Sequence, residues 1–527
     1  MVEGGPGLSL KEDDIEPAIA WAEPVTAFVG RTLKGPLHRP VPLTSFAQFQ
    51  QVFGGLWQPS TLSYAVEQFF ASGGSRALVV RVANGARAPT VTLPAGEEAL
   101  RLIGVHPGSR EYLRASVDYD GLADSDAFNL VVQRVRAAGS EHIEDQEIFR
   151  RVSLASESDR CLTDLLAHSQ LARVVPPLPA RRPERSAPSA GGFGVGYVGS
   201  NCDGDDGGPV TDYDLIGSAA ERTGLFALGE ENFDFLCIPP LTREQDVGLG
   251  TLLVAARLCR QRHALLIVDP PSAWDGPQEA IDAMRKWPFR SDHAVMFFPR
   301  LRAYDQLRGR VETFTCSGAA AGLISRAEQS GSLGAGEEEP LLRAGLQPAV
   351  EVSLSQRARL SLAGINTLFA TRSVAMPPVS ARTLAAGGNG SPDWRFLAAR
   401  RLALRVAASV ERGTRWMLFE QNVPATWARG RSRVEAYLAR LSASGAFAGF
   451  SREERYFVVC DERINQPQSV AAGGVNLLFG IAARRAGEFD TWLVSHQPGA
   501  SRARPVSVNR LATQRPGDWP LEMSIHR

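Results

Sequence analysis

The chain has 527 residues, 44% hydrophobic and 22% charged, and its 57 basic side chains are balanced by 57 acidic ones. That length exceeds what one hydrophobic core usually serves, so about two to four domains are expected. A net charge of zero excludes a global pull toward nucleic acid or anionic membrane and leaves self-association unopposed.

The opening MVEGGPGLSLKEDD lacks the basic and apolar regions of a signal peptide, and no apolar run reaches membrane-span length. Cytoplasmic synthesis without membrane insertion is therefore expected. Cys161, Cys202, Cys237, Cys259, Cys316 and Cys460 show no C-x-x-C spacing, the pattern of reduced, buried thiols. Residues 1–24 are Gly- and acid-rich and read as an arm. From Val25, VTAFVGRTLKGP reads as a strand and turn and SFAQFQQVFGG as a short helix. LSYAVEQFFASGG is an amphipathic helix and ALVVRVA a buried strand, which closes a βααβ unit over residues 25–89.

Residues 90–175 change character. LRASVDY and FNLVVQRV read as strands, EIFRRVSL and DRCLTDLLAHSQLARVV as helices, together a β-rich insert. Residues 176–192 are a Pro- and Arg-rich linker. Over residues 193–357, FDFLCIPP, HALLIVDPP and HAVMFFPR are short continuous apolar runs. Strands of a parallel sheet covered on both faces have that pattern.

Residues 358–488 hold the most legible stretch. Ser391 and Pro392 suit a helix start, and Phe396, Ala399, Ala403, Val406 and Val410 recur at three- and four-residue steps. Arg401, Arg405 and Arg412 are expected on the opposite, solvent-facing side. WMLFEQN reads as a strand. A second helix comes next over residues 426–444 and carries Arg429, Arg431, Arg433 and Arg440, then come strands RYFVVCDE, VNLLFGIAA and DTWLVSH. The last of these (Asp490, Thr491, Trp492, Leu493, Val494, Ser495 and His496) opens a terminal segment, residues 489–527. It has no evident partner after it, and an orphan edge strand suits donation to another chain. The arginines Arg401, Arg405, Arg412, Arg429 and Arg433 are candidates for docking an acidic partner protein.

Catalytic and metal chemistry find little support. Asp269 ends a strand and invites an α/β hydrolase, but His263 precedes the same strand and Ser317 lacks a G-x-S-x-G elbow. The acidic loop with Asn201, Asp203 and Asp205 has a calcium-loop start. Asp206 replaces the turn glycine, however, and Asp212 stands where Glu belongs. No His pair has zinc spacing and no phosphate-binding G-x-x-x-x-G-K loop occurs. No catalytic residue, cofactor or metal is expected.

Two long pieces, SPDWRFLAARRLALRVAASVERGTRWMLFEQNVPATWARGRSRVEAYLARLSASGAFAG and RYFVVCDERINQPQSVAAGGVNLLFGIAARRAGEFDTWLV, resemble the C-terminal domain of contractile phage tail sheath proteins. FVGRTLKGPLHRPVPLTSFAQFQQVFGG and YAVEQFFASGGSRALVVRV resemble that family's opening segment. FDFLCIPP, HAVMFFPR and SGAAAGLISR resemble its central domain.

The resemblance implies a multidomain α/β and α+β fold. A tube-facing α+β core would be built from residues 25–89 and 358–488, with a subtilisin-like α/β domain, an outward β-rich insert and extended terminal arms. It implies a structural subunit that polymerises in six-fold rings stacked helically around an inner tube protein. Neighbours would be knitted by donated strands, and contraction would be a rigid-body rearrangement. Baseplate and tail-terminator or cap proteins are the further partners implied, within a phage tail or injection-system particle and without a cofactor. Departures at GINTLFATRSVAMPPVSARTL, at residues 327–346 and past residue 496 would suit a specialised sheath paralogue near baseplate or cap.

Overall fold

The computed structural model describes residues 23–122, 126–187, 196–200, 204–329, 341–370, 380–387, 392–465, 474–508 and 523–525. At its centre is a seven-stranded sheet in the order Ile365–Thr367, Ala294–Phe298, Leu265–Val268, Phe235–Cys237, Thr26–Gly30, Ala77–Arg81, Val41–Leu43. Every neighbouring pair is parallel except the last.

Side chains alternate between the two faces, and each face has its own core. Phe28, Val79, Phe235, Leu265 and Phe297 point into a core shared with helices Thr61–Ala71, Ser317–Gln329 and Leu397–Gly413. Ala27, Val80, Leu236, Leu266 and Met296 point into the other, against Leu249–Arg262, Pro277–Lys286 and Leu354–Ala363. Being covered on both sides is why these strands are apolar throughout. The run SGAAAGL has a packing role: a Cβ at Gly318 would stand 1.9 Å from the Ala65 carbonyl oxygen, and one at Gly322 2.4 Å from that of Phe69. Only glycine lets these two helix backbones approach so closely.

This sheet revises the expected grouping. Residues 25–89 supply three of its strands, through register pairs such as Ala27 with Leu236, so they belong to the same sheet as the central segment. The C-terminal segment joins that body through its strand Ile365–Thr367, paired with Ala294–Phe298, and by packing the Leu397–Gly413 helix on one face. Parallel pairing across a long insertion leaves no local mark in the sequence.

The insert holds two antiparallel sheets around a core that includes Leu93, Leu102, Val117, Leu130 and Leu166. LRASVDY and FNLVVQRV are strands as expected. EIFRRVSL is not a helix: its residues up to Val152 end the strand Ile143–Val152, paired with Phe128–Val135. Of DRCLTDLLAHSQLARVV only Leu162–Ala167 is helical, and Ala172–Val175 is a strand.

The C-terminal sheet runs Tyr456–Val459, Val475–Ile481, Asp490–Gln497, Ala500–Val508, Met523–Ile525, antiparallel throughout. The supposed orphan strand is therefore central. Asp490–Gln497 pairs with Val475–Ile481 on one side and Ala500–Val508 on the other, so its backbone groups are satisfied within the chain. The hairpin turns on Pro498 and Gly499, the latter at φ 88°, the composition of a type II turn. WMLFEQN is likewise no strand: Arg415–Phe419 is a short 3-10 helix. It continues directly from the long helix, where the Thr414 hydroxyl donates to the Val410 carbonyl at 2.6 Å.

Candidate functional site

The helix Leu397–Gly413 is buried almost all round, although its sequence periodicity marks only one apolar face. Apolar residues flank Arg400, Arg401 and Arg405, so these three arginines have nowhere polar to go except to buried counter-ions. Arg401 is 1% exposed. Its Nη2 donates to Asp234 at 2.6 Å and to Glu328 at 3.2 Å, its Nε to the other Glu328 oxygen, and its guanidinium lies over the Phe235 ring at 4.6 Å. Arg405, 5% exposed, donates to Glu328 at 2.5 Å. Arg400, also 1% exposed, meets Asp292 at 2.6 Å and His293 at 2.6 Å, between the rings of Trp394 and Trp492.

Asp234 stands before one main-sheet strand, Asp292 and His293 before another, and Glu328 near the end of Ser317–Gln329. The helix is thus bolted to the main sheet on one side and to the C-terminal sheet on the other. On that second side Glu411 accepts from His263 at 3.1 Å and from the Ala503 amide at 3.1 Å. The Thr414 hydroxyl meets His496 Nε2 at 2.8 Å, and His496 Nδ1 meets Ser501 at 2.9 Å. The Trp394 indole donates to Asp490 at 2.8 Å.

Burial opposes the charge on Arg401, but Glu328 and Asp234 outweigh it and hold that pKa above its usual value. Burial likewise works to raise Asp234, and Arg401 overrides it and keeps the carboxyl low. The histidines go the other way. Burial, and then the Arg400 charge, push His293 down to about 3, and burial pushes His496 down to about 4.

These contacts separate the expected docking arginines. Arg401 and Arg405 are internal ion-pair residues and cannot dock a partner, because their forks are already spent on buried carboxylates. Arg412, Arg429, Arg431 and Arg440 are exposed and Arg433 is half-buried. Arg429 and Arg433 stack over Trp416 at 4.3 and 5.1 Å, and Arg429 pairs with Glu420 at 2.8 Å. Beside them Phe419 is 90% exposed, and Val423 is exposed too. The residues Thr491, Trp492, Leu493, Val494, Ser495 and His496 are buried in the chain's own sheet, with Asp490 half-buried, so this strand is not available for donation. Sequence reasoning missed Asp234, Asp292, His293, Glu328 and Arg400. The one available signal was a helix whose arginines interrupt an otherwise apolar surface.

Among the described residues, the hydrolase candidates Asp269, His263 and Ser317 do not assemble into a site. Asp269 accepts from the Cys316 and Ser317 amides, both at 2.8 Å, and from the Ser317 hydroxyl at 2.6 Å, so it anchors the start of the Ser317–Gln329 helix. His263 lies at the other end of the strand, on Glu411. Asn201, Cys202 and Asp203 lie outside the described residues. Asp206 accepts from Ser109 at 2.9 and 2.7 Å, and Asp212 from Gly248 and Thr251 at 2.8 and 2.6 Å. Asp206 ties two loops together, and Asp212 caps the start of the Leu249–Arg262 helix. Among the described residues no group of three or more acidic, His or Cys side chains is placed to hold a metal, and the five described cysteines are free and buried.

No protein-family model and no curated protein matches this chain. Solved structures do. The sheath tail protein of Listeria innocua aligns with a TM-score of 0.60 at 12% identity, over 92% of this chain and 97% of that one. A sheath tail protein of Desulfitobacterium hafniense aligns with 0.53 at 11%, over 94% and 100%. The helical sheath of the anti-feeding prophage in its contracted state aligns with 0.51 at 18%, over 93% and 98%. Across nearly its whole length, this chain has the fold of the contractile tail sheath proteins.

Proposed function

We propose that the chain is a structural, non-enzymatic subunit of a contractile sheath. It polymerises as stacked six-fold rings around an inner tube and contracts to drive that tube through a target envelope. The observation carrying this is the likeness to sheath proteins over more than nine-tenths of both chains. On this reading the central α/β body is the subtilisin-like domain of a sheath subunit, and the insert faces outward. Contraction by rigid-body movement needs a subunit that does not deform, and the buried arginine contacts supply one by fastening three layers together.

Partners are further copies of the chain, the tube protein, and the baseplate and cap proteins that end the shaft. No helix among the described residues is long and apolar enough to cross a membrane. Strand exchange between copies uses residues 1–24 as donor. The outer strand Tyr456–Val459 has a single strand partner among the described residues and is the accepting edge. Tube docking falls to the patch of Trp416, Phe419, Val423, Arg429 and Arg433, where cations and exposed apolar surface adjoin.

Reversing Arg429 and Arg433 to Glu tests the docking role. Each exposed ion pair contributes little, but reversal adds repulsion, so co-pelleting with the tube protein should weaken by roughly tenfold while thermal unfolding is unchanged. Undiminished co-pelleting would remove these residues from the interface.

A further inference from the structure

Beside the buried arginines lies a cleft of about 310 Å³. Its cationic wall comes from Arg76, Arg262, Arg405, Arg412 and Arg415. Two of these are already engaged, Arg405 with Glu328 and Arg415 with Glu411 at 3.2 Å. Arg76, Arg262 and Arg412 make no ion pair among the described residues. The acids on the wall are Asp234 and Glu411, both held in ion pairs, and exposed Glu23 and Glu231, against three unpaired arginines. The cleft therefore presents an excess of unpaired cations.

The described chain begins at this cleft. Glu23 lines it and approaches the Ser75 hydroxyl at 3.5 Å. Upstream in the sequence, outside the described residues, stand Glu12, Asp13, Asp14 and Glu16, with Lys11 the one basic residue of the first 22. From residue 16 to residue 23 an extended chain reaches roughly 25 Å, so these carboxylates can return to the cleft from their own attachment point. The cleft is large enough for a short run of side chains and too small for a folded partner.

We propose that in the free subunit the acidic stretch of residues 12–16 docks into this basic cleft of its own chain and keeps the arm from being donated. Being tethered, the arm sees the cleft at high effective concentration, and its hold is electrostatic and screened by salt. Displacing it is then a step of assembly, and premature strand exchange in the cytoplasm is held back. The docking itself rests on the cleft and the arm. Only its consequence for assembly rests on the sheath reading.

The test uses the full chain with Cys202→Ser and a fluorophore on Ser9→Cys. Fluorescence anisotropy should be high at low salt and independent of protein concentration. It should be lost at 1 M salt (Debye length about 3 Å), and equally lost in R76E/R262E/R412E and in E12Q/D13N/D14N/E16Q. The three arginines are at the cleft surface, and an unchanged melting temperature confirms that the variant folds. Anisotropy unmoved by salt and by both variants overturns the proposal. Anisotropy that rises with protein concentration also overturns it, in favour of a second copy's arm. If the label responds as expected but no variant ever polymerises, the docking stands and the sheath reading fails.

Discussion

Replacing Glu328 by Gln should destabilise the central body by about 3–5 kcal/mol, the range measured when one partner of a buried ion pair is removed. Glu328 is 3% exposed and serves two guanidinium groups at once, those of Arg401 and Arg405. The amide keeps the shape and one acceptor oxygen but no charge. Two cations then share the interior with Asp234 alone, which is itself a quarter exposed. Denaturant unfolding followed by tryptophan fluorescence measures the loss, and Trp394, Trp427 and Trp492 all report on this region. Replacing Glu328, Arg401, Arg405 and Asp234 together by apolar residues of similar volume should restore much of the stability, since the desolvation cost goes with the charges. A single E328Q change that leaves the midpoint in place would mean that the carboxylate is not the counter-ion the geometry makes it.

Acid should loosen the same region over a defined window. His293, His496 and His106 have pKa values lowered to about 3, 4 and 4, each first by burial. Unfolded histidine titrates near 6.5. Between that value and the folded ones the unfolded chain binds more protons than the native chain, so unfolding free energy falls as pH falls. The contribution is complete above pH ~6.5 and drains away toward the folded values, on the order of 3–5 kcal/mol for each fully shifted histidine. Asp292 and Glu411, held low by Arg400 and by His263 against the opposing effect of burial, lose stability in the same direction at still lower pH. Asp269 and Glu111, raised by burial, run the other way and soften the slope. Unfolding midpoints at pH 7.5, 6, 5 and 4.5 should be level at first and then descend, and His496→Gln should flatten the descent. Midpoints that stay level to pH 4.5 would show that these histidines are not held neutral.

The central sheet was legible because its physics is local. A parallel strand covered on both faces must be apolar throughout, and FDFLCIPP, HALLIVDPP and HAVMFFPR are. What escaped is what depends on distance. Nothing near Thr26 says that its strand will lie beside Phe235, with the whole insert between them. Glu328, at the end of a small-residue helix, reads as a solvated acid, and its arginines are 73 and 77 residues away. The error over Asp490–Gln497 was avoidable, because Pro498 and Gly499 form a turn signal directly after it. Residues 500–508 then alternate well enough to pair, though Pro505 disguises them as non-strand. The helix Leu397–Gly413 is legible in the sequence but its burial is not, since a stripe of Ala and Val marks one apolar face and does not make the others polar.

Electron microscopy of the purified full-length chain, alone and with the inner tube protein that the sheath proposal requires, bears most directly on that proposal. Hollow tubules or stacked six-fold rings are the expected result, shortened or absent when residues 1–24 are removed from an otherwise folded chain. A dispersed monomer at every concentration, indifferent to the tube protein, would contradict it.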